Sequence, residues 1–137
     1  MTTDPLKMAR FSGPLHAILR IATALTFVSH GSMKLLGFPA MPPMPGAPPM
    51  PAPPLLSLMG VAGIMELVGG LLVLVGLFTR PVAFLLAGEM AVAFWMAHAP
   101  QGVIPVTNMG ESAYLFCFIF LWLSAAGSGP WALDRDS

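Results

Sequence analysis

The sequence predicts an all-α fold, an integral membrane four-helix bundle, on three observations. Hydrophobic residues make up 56% of the 137 residues and charged residues only 9%. Soluble domains carry roughly 25% charged residues, so a mean hydropathy of +0.80 points to a bilayer as the solvent. Apolar runs at about 15–36, 55–77, 81–98 and 110–127 each approach the ~20 residues that cross a hydrocarbon core. The intervening stretches are rich in Pro and Gly, which end helices.

The length suits a single transmembrane domain, residues 1–137. Zero net charge gives no electrostatic case for nucleic acid. The lone Cys117 excludes an intrachain disulfide and a Cys-x-x-Cys pair, and packing is its simplest role. No internal repeat stands out.

Residues 1–14 read as a polar arm with Lys7 and Arg10, and Ser12-Gly13-Pro14 as a helix start. The first apolar run lacks a small-residue cleavage site and reads as an uncleaved span. Residues 40–54 hold proline at a density that forbids helix, so an extended, polyproline-II-like surface loop is expected. The second span carries Gly60, Gly63, Gly69 and Gly70, which permit close helix contact. Thr79-Arg80-Pro81 reads as a tight turn, the third span ends at His98-Ala99-Pro100, and Asn108-Met109-Gly110-Glu111 opens the fourth. Gly127-Ser128-Gly129-Pro130 stops it. Lys7, Arg10, Arg80 and Arg135, with Arg20 near them, fall on one side and Lys34 near the other. The positive-inside rule then expects both termini in the cytoplasm and residues 40–54 and 99–109 outside.

On a first helix, Arg20, Thr23, Phe27, His30 and Lys34 share one face. That stripe is unsuited to lipid and is expected to point inward. Glu66 is about 16 Å into the second span and Glu89 about 12 Å into the third, at 1.5 Å per residue. An ionised group at such depth costs at least about 2.5–3.5 kcal/mol and needs a partner, water or a proton. The economical arrangement is one outward-opening polar cavity, with His30, Lys34, Glu66 and Glu89 as catalytic candidates. His98, Asn108, Glu111 and Arg20 are substrate-binding candidates. The plainer readings are structural pairs of Glu66 and Glu89 with Lys34 and Arg20, and a capping box from Asn108 to Glu111. Trp95, Tyr114 and Trp122 suit interfacial belts or packing. Met41, Met44 and Met50 suggest Cu(I), but their irregular spacing argues against an obligatory metal.

His30-Gly-x-x-Lys34 with the following Gly-Phe-Pro, Glu66-x-x-Gly69-Gly70 and Gly76-x-x-x-Arg80 resemble the DoxX family. So do Asn108-x-Gly110-Glu111 and Gly127-x-Gly129-Pro130-x-x-Leu133-Asp134. The resemblance runs from about residue 15 onward; the 40–54 loop departs from it in length and in Pro/Met content. It implies a four-helix protein of the bacterial inner membrane, linked to quinone-dependent oxidoreductases such as thiosulfate:quinone oxidoreductase. Its cofactor or substrate would be a quinone, and its partners would be the bilayer and other membrane or redox subunits or a homo-oligomer. No haem, flavin or iron–sulfur motif is visible in the chain. A non-enzymatic scaffold or assembly subunit and a metal or small-solute transporter are the alternatives.

Overall fold

A computed structural model describes residues 5–42 and 45–134. Arg135 and Met44, used above for topology and for the copper reading, lie outside the described residues. Those residues are all-helical, with no strand among them. A short α1 (Pro5–Ala9) precedes α2 (Ser12–Leu36). The second rod is continuous from Leu58 to Val75: α3 (Leu58–Ile64), a π-helical turn (Met65–Gly69) and α4 (Gly70–Val75). The third is α5 (Thr79–Ala93), extended by a π turn (Phe94–His98) and a 3-10 turn (Ala99–Gln101). The fourth is α6 (Glu111–Ala126).

Two of these rods, Leu58–Val75 and Thr79–Gln101, are long and apolar enough to cross a membrane. Their outer faces say what surrounds them. Leu58, Val61, Ile64, Val68, Leu71 and Val75 recur every three or four residues and are all exposed. The face turned inward carries Gly60, Gly63, Glu66, Gly69 and Gly70. Apolar outside and small or polar inside reverses the pattern of a soluble helix and fits a lipid environment.

Lipid tails are as apolar as leucine, so burial supplies little drive for such helices to associate, and close packing must hold them. Glycine supplies it where α2 crosses the second rod. A Cβ placed on Gly31 would collide with the backbone of Leu67 and with the Gly63 carbonyl. On Gly63 it would press on Leu35 at 3.0 Å and on the Lys34 Cβ at 3.3 Å. The two backbones therefore meet almost directly, one turn from Lys34. Deeper in, Phe27 packs edge-to-face on Phe120 at 4.7 Å and on Phe116 at 5.3 Å, joining α2 to α6.

The other end of the bundle is closed by residues 127–134. The last carbonyls of α6 have no intrahelical partners, and basic side chains from two other helices take them. Arg80 donates to the Ala125 carbonyl and His16 Nε2 to that of Gly127 at 2.8 Å. Trp122 Nε1 donates to His16 Nδ1 at 3.3 Å, which fixes the same tautomer. The Arg80 cation also complements the dipole of the α6 C-terminus. The tail then folds back along the bundle: Leu133 N donates to Val75 O (3.0 Å) and Asp134 N to Gly76 O (2.7 Å). Asp134 accepts from the backbone N–H groups of Phe78 (2.9 Å) and Thr79 (3.0 Å), capping α5 from outside its own segment. Those hydrogen bonds, Thr79 foremost, hold the Asp134 carboxyl below the usual carboxylate range, with Arg20 adding to them.

Thr79-Arg80-Pro81 is accordingly no turn. The chain reverses over Gly76–Phe78, where Gly76 is left-handed at φ 69°, and Pro81 sits in the first turn of α5, where a missing N–H costs nothing. Residues 45–46 form a turn, and 47–54 are neither helix nor strand.

Replacing Gly31 by Ala forces α2 off the second rod, and overpacking of this kind costs roughly 1–3 kcal/mol. Gly88 has nothing within 4 Å of its absent Cβ and serves as the control. Thermal unfolding in detergent is expected to show Gly31→Ala clearly lowered and Gly88→Ala unchanged; equal midpoints would refute the close crossing.

Candidate functional site

Between the rods is a cavity of about 130 Å³ lined by Phe27, His30, Lys34, Glu66, Met90, Ala93, His98, Ser112, Ala113 and Phe116. All four rods contribute. Phe27, Phe116 and Met90 make one wall apolar; His30, Lys34, Glu66, His98 and Ser112 make the other polar.

Each polar group has a traceable position. His30 and Lys34 are one turn apart on α2, and His30 lies edge-on to Phe116 at 5.9 Å. The Gly31–Gly63 crossing brings the Lys34 ammonium to Glu66 Oε1 at 2.5 Å, a direct charge-assisted hydrogen bond. The two partners are unequally placed: the Lys34 side chain is 25% exposed and that of Glu66 only 3%. Glu66 Oε2 is buried and, among the described residues, has no hydrogen-bond partner. Glu66 lies in the first π turn and His98 closes the second. Single π turns interrupt the 3.6-residue repeat and recur at functional sites. His98 Nδ1 contacts the Asn108 carbonyl at 3.1 Å; a carbonyl only accepts, so Nδ1 carries hydrogen and Nε2 is the acceptor.

The other candidates lie elsewhere. Arg20 is fully buried, but at the opposite end of the bundle. It donates to the carbonyls of Ser128, Pro130 (3.3 Å) and Trp131 (2.6 Å). It therefore neither binds in this cavity nor pairs with Glu66 or Glu89, because the tail carbonyls satisfy the guanidinium where its helix position leaves it. Asn108 is buried as a loop staple, with Nδ2 donating to Gly102 O (2.6 Å) and Oδ1 accepting from Gly110 N (2.8 Å). The capping box does not form: Gly110 occupies the cap position without a side-chain bond, because Asn108 spends its carbonyl on Gly110. Glu111 is exposed and borders a separate, shallow pocket of about 310 Å³ with Ile104, Pro105, Val106, Tyr114 and Leu115. Glu89 is adjacent to cavity-lining Met90 but is not itself part of the wall. Met41 and Met50 are exposed. Ser112, Met90 and Phe116 escaped sequence reasoning, as did His16 in the tail clasp. Nothing in their spacing separates them from ordinary helix residues.

The profile of the DoxX family matches residues 15–99. An uncharacterized protein of Haemophilus influenzae (strain ATCC 51907 / DSM 11121 / KW20 / Rd) is 42% identical over 122 residues, 87% of each chain. No solved structure gives a significant match.

The unequal burial of the ion pair has a measurable consequence. Lys34→Met removes the cation from a buried carboxyl group, which then takes up a proton or stays charged without a partner, a loss of at most on the order of 3–5 kcal/mol. Glu66→Gln leaves an ammonium that can swing to the open side and costs less, and the double variant regains most of the Lys34→Met loss. A double-mutant cycle on unfolding midpoints checks this; simply additive losses would contradict a buried pair.

Proposed function

The chain belongs to the DoxX family, and from that premise we propose that it is a membrane subunit of a quinone-linked oxidoreductase. All four rods cross the bacterial inner membrane, both termini are cytoplasmic, and the cavity binds a quinone or a small redox substrate. The observation that carries the reading is Glu66: a carboxylate with one oxygen on Lys34 and the other unpartnered, in the wall of an aromatic-lined cavity.

The residues fit such a group. A quinone head is flat and apolar on its faces and presents oxygens at its edge. Phe27 and Phe116 offer apolar surface, while Lys34, Ser112 and His30 offer donors. When bound, a quinone would supply two-electron redox chemistry, with the electrons coming from a partner redox subunit. The chain's own residues do the remainder. Lys34 holds Glu66 in place and compensates its charge. Glu66 and His30 take or give protons at Oε2 and at the imidazole, a task a dry site tunes through burial and neighbouring charge. The Asn108 carbonyl orients His98, and the loop staple around Asn108 keeps that carbonyl still.

Orientation is supported by the side that collects the cations. Arg20 and Arg80 sit at the end shared by residue 12 and residue 134, where a Cβ added to Gly13 would stand 3.6 Å from Pro130 Cγ. A cysteine placed in the 40–54 loop of a Cys117→Ala background is expected to react with a membrane-impermeant maleimide on intact cells. Labelling only after cell lysis would reverse the orientation.

For the site, the probe is a short-chain quinone analogue titrated into the purified protein in detergent. Glu66→Gln and His30→Ala are both expected to keep their folded yield; His30→Ala weakens binding tenfold or more because it offers no donor, and Glu66→Gln loses quinone-linked turnover because the amide cannot cycle a proton. Failure of the wild type to bind, or equal binding by all three, sinks the quinone site and leaves the scaffold reading.

A further inference from the structure

Glu89 is the titratable group that the cavity does not use. Both of its carboxyl oxygens are buried, and among the described residues neither has a hydrogen-bond partner. It lies on α5 one turn past Leu86, and Leu86 packs on Gly69, one turn past Glu66 on the oppositely running second rod, so the two carboxyl groups lie on one seam. The ionisable groups gathered here are Lys34 and His30 from α2, Glu66 from the second rod and His98 from the end of the third. On α6 the acidic residue Glu111 is exposed at the helix start, and the cavity face offers Ser112.

The charges do not balance as they stand. One ammonium faces two carboxyl groups, and its short contact is already spent on Glu66 Oε1. Ionised carboxylates only accept hydrogen bonds, so Glu66 Oε2 and the two Glu89 oxygens cannot satisfy one another. A second uncompensated carboxylate at this depth is costly. One proton neutralises the surplus charge and supplies a donor where there are otherwise only acceptors.

We propose that Glu89 is a proton-storage site, holding one proton in the resting protein and exchanging it with Glu66. In the exchange an O–H bond on Glu89 breaks as one on Glu66 Oε2 forms, and the negative charge passes the other way. Lys34 stabilises whichever carboxylate is ionised. Glu89 then lies behind the cavity as a reservoir, and Glu66 presents the proton at its wall. The use of that proton rests on the cavity reading above; its presence does not.

The test is infrared spectroscopy on the purified full-length protein in detergent at neutral pH with no quinone added. Asp134 accepts from two backbone N–H groups, which favour its ionised form. The wild type is expected to show the carbonyl stretch of a protonated carboxylic acid, shifted in deuterium oxide. Glu89→Gln removes it, and Lys34→Met roughly doubles it, as both carboxyls then take a proton. If Glu89→Gln does not fold, Glu89→Asp moves the band in frequency. No band in the wild type, an intact band in Glu89→Gln, or an unmoved band in Glu89→Asp overturns the proposal. A normal band in a protein that binds no quinone would sink the quinone site alone.

Discussion

The site depends on one close approach, the crossing of α2 and the second rod at Gly31, Gly63 and Leu67. Side chains of ordinary size would hold two helix axes 8–10 Å apart. Here the missing Cβ atoms let the backbones touch, and the Lys34 ammonium reaches a carboxylate that water hardly reaches. The ion pair does not create this contact. It is permitted by the contact, and it makes any separation of the helices expensive, because parting them would leave Glu66 charged and unpaired.

From that crossing the cavity follows. Glu66 lies on the inward face with Gly63 and Gly70, and the π turn that contains it spreads the backbone where the glycines have drawn the helices together. A second π turn does the same in the third rod and sets His98 against the Asn108 carbonyl. One rod thus contributes an acid and another a base, on two helices that carry outward stripes of leucine, valine and phenylalanine. The cavity is a polar island within a largely apolar core.

Much of this was legible in the sequence. Steps of three and four from Arg20 to Lys34 are geometry, and helix geometry survives almost any packing. The glycine-rich second span announced close contact, and Lys34 and Glu66 were natural partners by depth. What periodicity cannot carry is the side of an interior on which a group ends. Arg20 shares a stripe with Lys34, yet is more than three turns away along α2 and belongs to the tail. Asn108 and Glu111 have the spacing of a capping box, but a loop carbonyl and an amide competed for the same groups and won. The π turns were invisible because they change the repeat on which the reading relies. Residues such as Ser112 and Phe116 join the site only through the pairing of α6 with α5 and α2, which no local pattern encodes.

The clasp by Asp134 has a consequence in time. Helices of a membrane protein enter the bilayer in chain order as the ribosome delivers them, but the first turn of α5 is capped by a residue 55 positions further on. Until that residue has been made, the Phe78 and Thr79 amides have no carboxylate, and the buried Arg20 guanidinium lacks the carbonyls that will receive it. Every helix can be threaded before the bundle can be closed at that end. Residues 127–134 act as a latch, and quality control that probes for open helix ends would see an open molecule until residue 134 has been made.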